Sequence, residues 1–440
     1  MLIGVGQLTE AERCSREAVA LLEALPHGAE YAVACRMQAL VALARRDTAT
    51  TIHWGERAIA LAEQCGADDV AGMTAAAVGS AHFIEDAARG RDYLEQFARS
   101  AVERGERRHA ANAYVHLVER CTELYQLEWA ERYATAGLSV TDGSDLDTIH
   151  LLILAWQSRV HMHRAQWSEC AAVARHVLRR EGMSAGNRLQ ALIAFGRLHA
   201  RAGLAEGRDA LDEAMALTSS IDTSETLGLV RAARAEAAWL AGNPAQALDE
   251  ARSGFDVAMR ERNPWIAAEL AYWQWKAGAA VPTHDWWAEP FASQMAGDWR
   301  RASAAWRALG CPYEDARALA EGDAFARREA LELFTRLGAN RAARDLARIM
   351  RASGVGHLPR GPYTATRADP FGLTPRQADV LWLLSEGLSN PEIAERLALA
   401  PKTVDHHVAA VLAKLDVHSR KAAAAMARRS MNSRANSTKR

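Results

Sequence analysis

One spacing limits what this chain can fold into more than any other feature. Gly203, Gly242 and Gly278 recur at intervals of 36 to 39 residues, each directly after a long apolar stretch with helical periodicity. Glycine reaches the left-handed conformation that commonly ends a helix, so equally spaced glycines mark the ends of similar helices. The long helices are expected over residues 189–202, 226–241 and 264–277, with shorter alanine-rich partners over 205–217 and 244–259. A period of this length belongs to stacked helical hairpins, where each unit completes its core only against its neighbours. The pattern is repetitive from about His109, with earlier pairs over 111–125 with 129–138 and 145–164 with 167–179. Helices over 314–320, 328–337 and 342–352 are expected to close the array.

Ala, Leu, Arg and Glu recur at helical spacing while alternating Val, Ile and Thr runs are nearly absent, so the expected fold class is all-α. Residues 1–353 read as a tetratricopeptide-like solenoid. Such arrays present a concave face built from their long helices, and the expected partner there is an unidentified ligand or protein. Tryptophan is dense around Trp265, Trp273, Trp275, Trp286, Trp287, Trp299 and Trp306. Large rings filling gaps between helices are the simpler account, and an aromatic ligand cage the sharper one. The six cysteines stand singly and are expected to be buried free thiols. With no signal-peptide pattern and no apolar run of membrane-spanning length, the expected location is the cytoplasm, without a membrane partner.

The formal net charge of −1 conceals an asymmetry. Residues 354–440 hold 13 Lys and Arg against 7 Asp and Glu, whereas the remainder holds 40 against 47. A basic module on an acidic body points to a polyanionic partner for the module alone. A Gly- and Pro-broken linker is expected over 354–370, a four-helix domain over 371–429 and a disordered basic tail over 430–440.

That domain opens with Leu373-Thr374-Pro375-Arg376-Gln377, where Thr374 suits a helix cap and Gln377 completes a capping box. Val380, Leu381, Leu384 and Leu388 form one face before Gly387 marks the stop. A second, two-turn helix starts at Ser389-Asn390-Pro391-Glu392, with either Ser389 and Glu392 as a capping box or Asn390 as the cap. The third runs from Pro401 to about Leu415, with Val404, Val408, Val411, Leu412 and Leu415 inward. Helical projection puts Lys402, His406, Ala409, Ala410 and Ala413 on the opposite face, with Asp405 and His407 on its flanks. Small side chains let the backbone approach a DNA groove, and the few long polar ones reach base edges or phosphates. A fourth helix, 419–429, carries Ala422 to Ala425 on a face suited to packing or a dimer contact.

At these residues, notably Leu373-Thr374-Pro375-Arg376, Glu386-Gly387-Leu388-Ser389-Asn390, Lys402-Thr403-Val404-Asp405-His406-His407-Val408 and Lys414-Leu415, the segment resembles the LuxR-type DNA-binding domain. The resemblance implies a helix-turn-helix bound to double-stranded DNA as a homodimer, with RNA polymerase as a further partner. It places Lys402, Asp405, His406 and Ala409 at the bases and Arg376, Ser389, Asn390, Thr403 and Lys414 at phosphates. Two positions depart from the family. Ala400 replaces a capping serine, which costs on the order of 1 kcal/mol. Asp405 replaces a frequent lysine, leaving a group that only accepts hydrogen bonds, as from cytosine N4, or that pairs with a nearby cation. The upstream Trp- and Ala-rich helices more loosely resemble the C-terminal parts of large ATP-binding LuxR-family regulators. No phosphate-binding G-x-x-x-x-G-K-[ST] loop occurs, so the sequence reads as sensor and effector parts without the ATPase.

Enzyme chemistry finds little support: H-E-x-x-H does not occur, and His161 and His163 point to different faces of one helix. No catalytic residue, metal or cofactor is expected. The expected function is a transcriptional regulator with input through the repeat; the alternative is an interaction scaffold whose DNA module is secondary or degenerate.

Overall fold

The structure is a computed structural model and describes residues 8–180, 183–218, 224–353, 373, 375–397, 399–415, 417, 419–424 and 426. The expected linker 354–370 and tail 430–440 lie outside the described residues. The chain divides into two compact units, Met1–Gly356 and His357–Arg440. The described residues are 81% helical, with no strand among them.

The first unit is a run of helical hairpins. It begins with α1 (Leu8–Glu23) and α2 (Ala29–Ala44), α3 (Thr48–Cys65) and α4 (Asp68–Glu85), and α5 (Ala87–Glu103) and α6 (Arg107–Glu123). It continues with α7 (Leu127–Thr141) and α8 (Asp147–His163), α9 (Trp167–Leu178) and α10 (Ala185–Ala202), α11 (Glu206–Thr218) and α12 (Ser224–Leu240), and α13 (Pro244–Arg260) and α14 (Pro264–Lys276). Then come α15 (Glu289–Met295), α16 (Trp299–Ala308), α17 (Pro312–Leu319), α18 (Ala324–Leu337) and α19 (Asn340–Ala352).

The hairpins therefore start well before His109. Turns after α2, α6, α8, α10, α12 and α14 share one geometry, with a left-handed residue at the same place. These are Arg46 (φ 59°), Tyr125 (56°), Ala165 (56°), Gly203 (80°), Gly242 (81°) and Gly278 (89°). In each, the following amide donates to the carbonyl five residues back, as Gln126 does to Cys121 and Leu204 to His199. A left-handed backbone costs a non-glycine residue roughly 1–2 kcal/mol. At Arg46, Tyr125 and Ala165, helix packing holds the turn without help from glycine.

Even-numbered helices pack on their hairpin partners and on the next even-numbered helix, from α2 to α14, forming an inner layer. Their sequences reflect it. Outer α3 buries a single stripe, Thr51, Gly55, Ala58 and Ala62, whereas α4 is buried continuously from Thr74 to Phe83. The inner face of α10 to α14 is not left open as a concave surface, because α16 and α17 turn back onto it. Trp306 meets Tyr125 at 5.5 Å, and Tyr125 stacks on Trp265 at 4.3 Å. Arg201 lies 2.8 Å from Glu236 and 2.7 Å from Glu314, and Arg197 lies 2.7 Å from Glu269 and 3.2 Å from Glu236. Burial pushes the Glu236 carboxyl up, but Arg201 and Arg197 outweigh it and hold the group below the usual carboxylate range. Trp273, Trp287 and Trp306 are buried, as gap-filling rings should be.

Cys35, Cys121, Cys170 and Cys311 are buried, but the expectation fails at Cys65, which is exposed, and at Cys14, which is half-buried. Cys65 is the last residue of α3, where the chain turns outward at Gly66. Cys14 lies on α1, the first described helix. Among the described residues no helix is long and apolar enough to cross a membrane.

Candidate nucleic-acid interface

The second unit contains α20 (Pro375–Ser385), α21 (Asn390–Leu397) and α22 (Pro401–Lys414), followed by helical residues over 420–424. Val380, Leu383 and Leu384 of α20 pack with Ile393 and Ala394 of α21 and with Val404 and Val408 of α22. A second cluster joins Leu373, Leu381, Val411, Leu415 and Ala423. Ala423 and Ala424 are thus buried within the unit, which uses the packing option for the last helix at these two positions. Ser419 caps that helix through its hydroxyl to the Ala422 amide at 3.2 Å.

With its Val404, Val408 and Val411 side buried, α22 turns the other side outward. Lys402, Asp405, His406 and Ala409 are exposed, and Thr403, His407 and Ala410 are half-buried. The helix begins without a side-chain cap from Ala400, whose carbonyl accepts from Thr403 at 2.9 Å and Val404 at 3.2 Å.

The residues expected at phosphates are held by neighbouring groups. Glu392 reaches back to the Ser389 amide at 2.7 Å and also accepts from the Ser389 hydroxyl at 2.6 Å. These two bonds hold the Glu392 carboxyl below its ordinary range. Only the Glu392 half of the capping box is formed, since the Ser389 hydroxyl donates to the carboxylate. Asn390 is not a cap: its amide nitrogen donates to Asp405 at 2.6 Å and its amide oxygen accepts from Arg420 at 2.8 Å. Arg420 also donates to the Leu388 carbonyl. Arg376 donates to the Leu397 carbonyl at 2.7 Å, closing the end of α21. Lys414 donates to the Gln377 side-chain oxygen at 2.8 Å, joining the end of α22 to the first turn of α20. Thr374 lies outside the described residues.

Asn390 therefore ties the first turn of α21 to the outward face of α22 and to the last helix at once. Its orientation follows from chemistry, because the carboxylate needs the amide nitrogen and the guanidinium needs the oxygen. Sequence reasoning missed Arg420. A signal was available: an arginine in the first turn of a helix opposes the helix dipole and so points to a partner elsewhere.

Comparison with known proteins agrees with this geometry. Residues 372–427 match the GerE model, described as bacterial regulatory proteins of the luxR family. The C-terminal unit carries a LuxR-family helix-turn-helix domain. Over 64 residues the chain is 48% identical to the DNA-binding transcriptional activator DevR/DosR of Mycobacterium tuberculosis, covering 14% of this chain and 30% of that protein. Over 99 residues it is 36% identical to the transcriptional regulatory protein LiaR of Bacillus subtilis, covering 20% and 47%. Over 56 residues it is 50% identical to the nitrate/nitrite response regulator protein NarP of Escherichia coli, covering 12% and 26%. The chain spans less than half the length of each of these relatives.

Proposed function

We propose that this protein is a DNA-binding transcriptional regulator that binds its operator as a dimer, acts in the cytoplasm and takes its signal through the helical repeat. The observation that carries the reading is the outward face of α22. It is a helix with one side locked in a core and the other offering Lys402, Asp405, His406 and Ala409 to solvent. In this reading α22 lies in the major groove with those four residues at base edges. Arg376, Ser389, Asn390, Thr403 and Lys414 face phosphates, with Arg420 beside them. Asp405, bonded to Asn390, keeps its place and accepts from cytosine N4.

The test is selection of bound duplexes from a random pool by the full chain, followed by affinity against salt. A preferred pair of half-sites, and a slope of log affinity on log salt of about −0.9 per phosphate contact, is expected. His406→Ala relaxes base preference, and Lys414→Ala weakens all DNA alike. Absence of any enriched sequence overturns the reading.

A further inference from the structure

A cavity of about 770 Å³ opens in the repeat unit where α10 and α12 end and α11 and α13 begin, with α19 beside them. Its lining holds four arginines, Arg208, Arg234, Arg341 and Arg344, against two aspartates, Asp209 and Asp212. One arginine is fully answered. Arg234 donates to Asp212 and, at 2.7 Å, to Glu250.

The other three keep donors to spare. Among the described residues Arg341 and Arg344 commit Nε alone, to Asp345 at 3.0 Å and to the Asn340 carbonyl at 3.0 Å. Their outer nitrogens lie at the turns that end α10 and α12: a Cβ on Gly203 would stand 3.4 Å from Arg344 Nη2, and one on Gly242 3.1 Å from Arg341 Nη2. Glycine thus leaves the room these guanidiniums take, where the equivalent Arg46, Tyr125 and Ala165 carry side chains. A helix C-terminus attracts a cation, which accounts for one charge at each turn. It does not account for Arg208. That residue is exposed in the first turn of α11, where the helix dipole opposes a cation, and it forms no ion pair among the described residues. Three guanidiniums with free N–H groups around one cavity match a doubly charged phosphate, whose oxygens accept from more than one fork. A monocarboxylate leaves most of these donors unused. The rest of the lining selects the body: it has no aromatic ring to stack a base, while Asp209 accepts hydrogen bonds and Gln246 donates and accepts them, as hydroxyl groups require. The volume lies within the range of about 300–1,000 Å³ usual for small-molecule sites.

We propose that this cavity binds a small phosphate monoester with a hydroxylated, non-aromatic body. Arg208, Arg341 and Arg344 hold the phosphate, and Asp209 and Gln246 take hydroxyl groups. The proposal supplies a ligand class for the signal in the regulator reading, but it is tested without DNA, so either can fail alone.

The test is calorimetry on the full chain at physiological salt, where loose surface attraction is screened. The probes are glycerol-3-phosphate, glucose-6-phosphate and AMP, with glycerol, glucose and inorganic phosphate as their partial counterparts. At least one of the two hydroxylated monoesters is expected to bind once per chain, about tenfold or more tighter than its phosphate-free counterpart and than inorganic phosphate. Arg344→Gln and Arg208→Gln, on separate helices and both exposed, each weaken that binding about tenfold, so either decides the matter should the other fail to fold. Arg351→Gln removes the same charge from the exposed end of α19, outside the cavity, and leaves the affinity unchanged. Failure of both hydroxylated monoesters to bind overturns the proposal, as does inorganic phosphate binding as tightly as either. So does AMP binding tighter than both, or a loss from Arg351→Gln equal to that from Arg344→Gln.

Discussion

Arg201 in the repeat unit and Arg420 in the helix-turn-helix unit both join helices, and they do it in opposite ways. Arg201 is wholly buried, held by Glu236 and Glu314 and lying over the Tyr313 ring at 3.9 Å. Half-buried Arg420 bonds to neutral acceptors, the Asn390 amide and the Leu388 carbonyl. Away from water an arginine needs opposite charge close by, and the resulting cluster locks three helices together. Near the surface, neutral acceptors position the guanidinium and leave its charge to attract a polyanion. The same residue type thus builds a lock in one unit and an electrostatic handle in the other.

Exchanging each arginine for methionine is the most forceful way to break this contrast. Arg201→Met takes the ion-pair partner from buried Glu314 and leaves Glu236 to Arg197, and is expected to cost about 3–5 kcal/mol. Arg420→Met loses bonds to neutral groups near water, at about 1–3 kcal/mol. Urea unfolding followed by a probe in each unit measures both, and equal losses would erase the distinction. The next effect concerns the two apolar cores. Leu117→Ala in α6 and Ile393→Ala in α21 each remove a wholly buried side chain, at about 2–5 kcal/mol each. In the small C-terminal core that loss is expected to end hydrogen-exchange protection across α20 to α22, while the larger repeat core keeps its protection after Leu117→Ala. Lost protection in both units from either change would mean that they unfold as one.

Acid sharpens the comparison further. His163 is held neutral well below the usual imidazole range, by burial first and by Arg159, Arg201 and Arg197 second. An unfolded imidazole takes up a proton near pH 6.5 that the folded one refuses. The stability linked to His163 is therefore fully present above about pH 6.5 and is lost as pH falls through it, by up to about 1.4 kcal/mol per unit. His163→Phe is expected to flatten that part of the pH profile of repeat-unit unfolding. An unchanged slope would assign it to other groups.

Local rules made much of this legible. Helix periodicity marked the hairpins, and glycine spacing found the turns at Gly203, Gly242 and Gly278. The same turns at Arg46, Tyr125 and Ala165 were hidden, because there the left-handed residue is imposed by packing and leaves no mark in residue type. The return of α16 and α17 onto the inner layer was hidden for a related reason. The Arg201–Glu314 contact joins residues more than a hundred positions apart, and charge in a helix usually signals a solvated face. In the C-terminal unit, projection of α22 separated exposed Lys402, His406 and Ala409 from buried Val404, Val408, Val411 and Leu415, while Ala410 and Leu412 are half-buried. It could not show that Asn390 reaches from another helix to Asp405.

That contact gives the smallest expected change in stability and the most informative change in function. Asn390→Ala removes two hydrogen bonds near the surface, so its cost should not exceed about 1–2 kcal/mol. It also releases Asp405 on the outward side of α22 and takes from Arg420 one of its acceptors. If Asn390 fixes Asp405 for base reading, the variant keeps its fold but accepts more bases at the position Asp405 faces, a change that repeated selection from a random pool reads directly. If Asn390 serves phosphates alone, all duplexes weaken together and the selected sequence stays the same. Asp405→Ala separates the cases: it should reproduce the relaxed preference of Asn390→Ala without its general loss of affinity, because removing a negative charge beside DNA favours every duplex. A wild-type pattern of preference in both variants would place base reading on Lys402 and His406 alone.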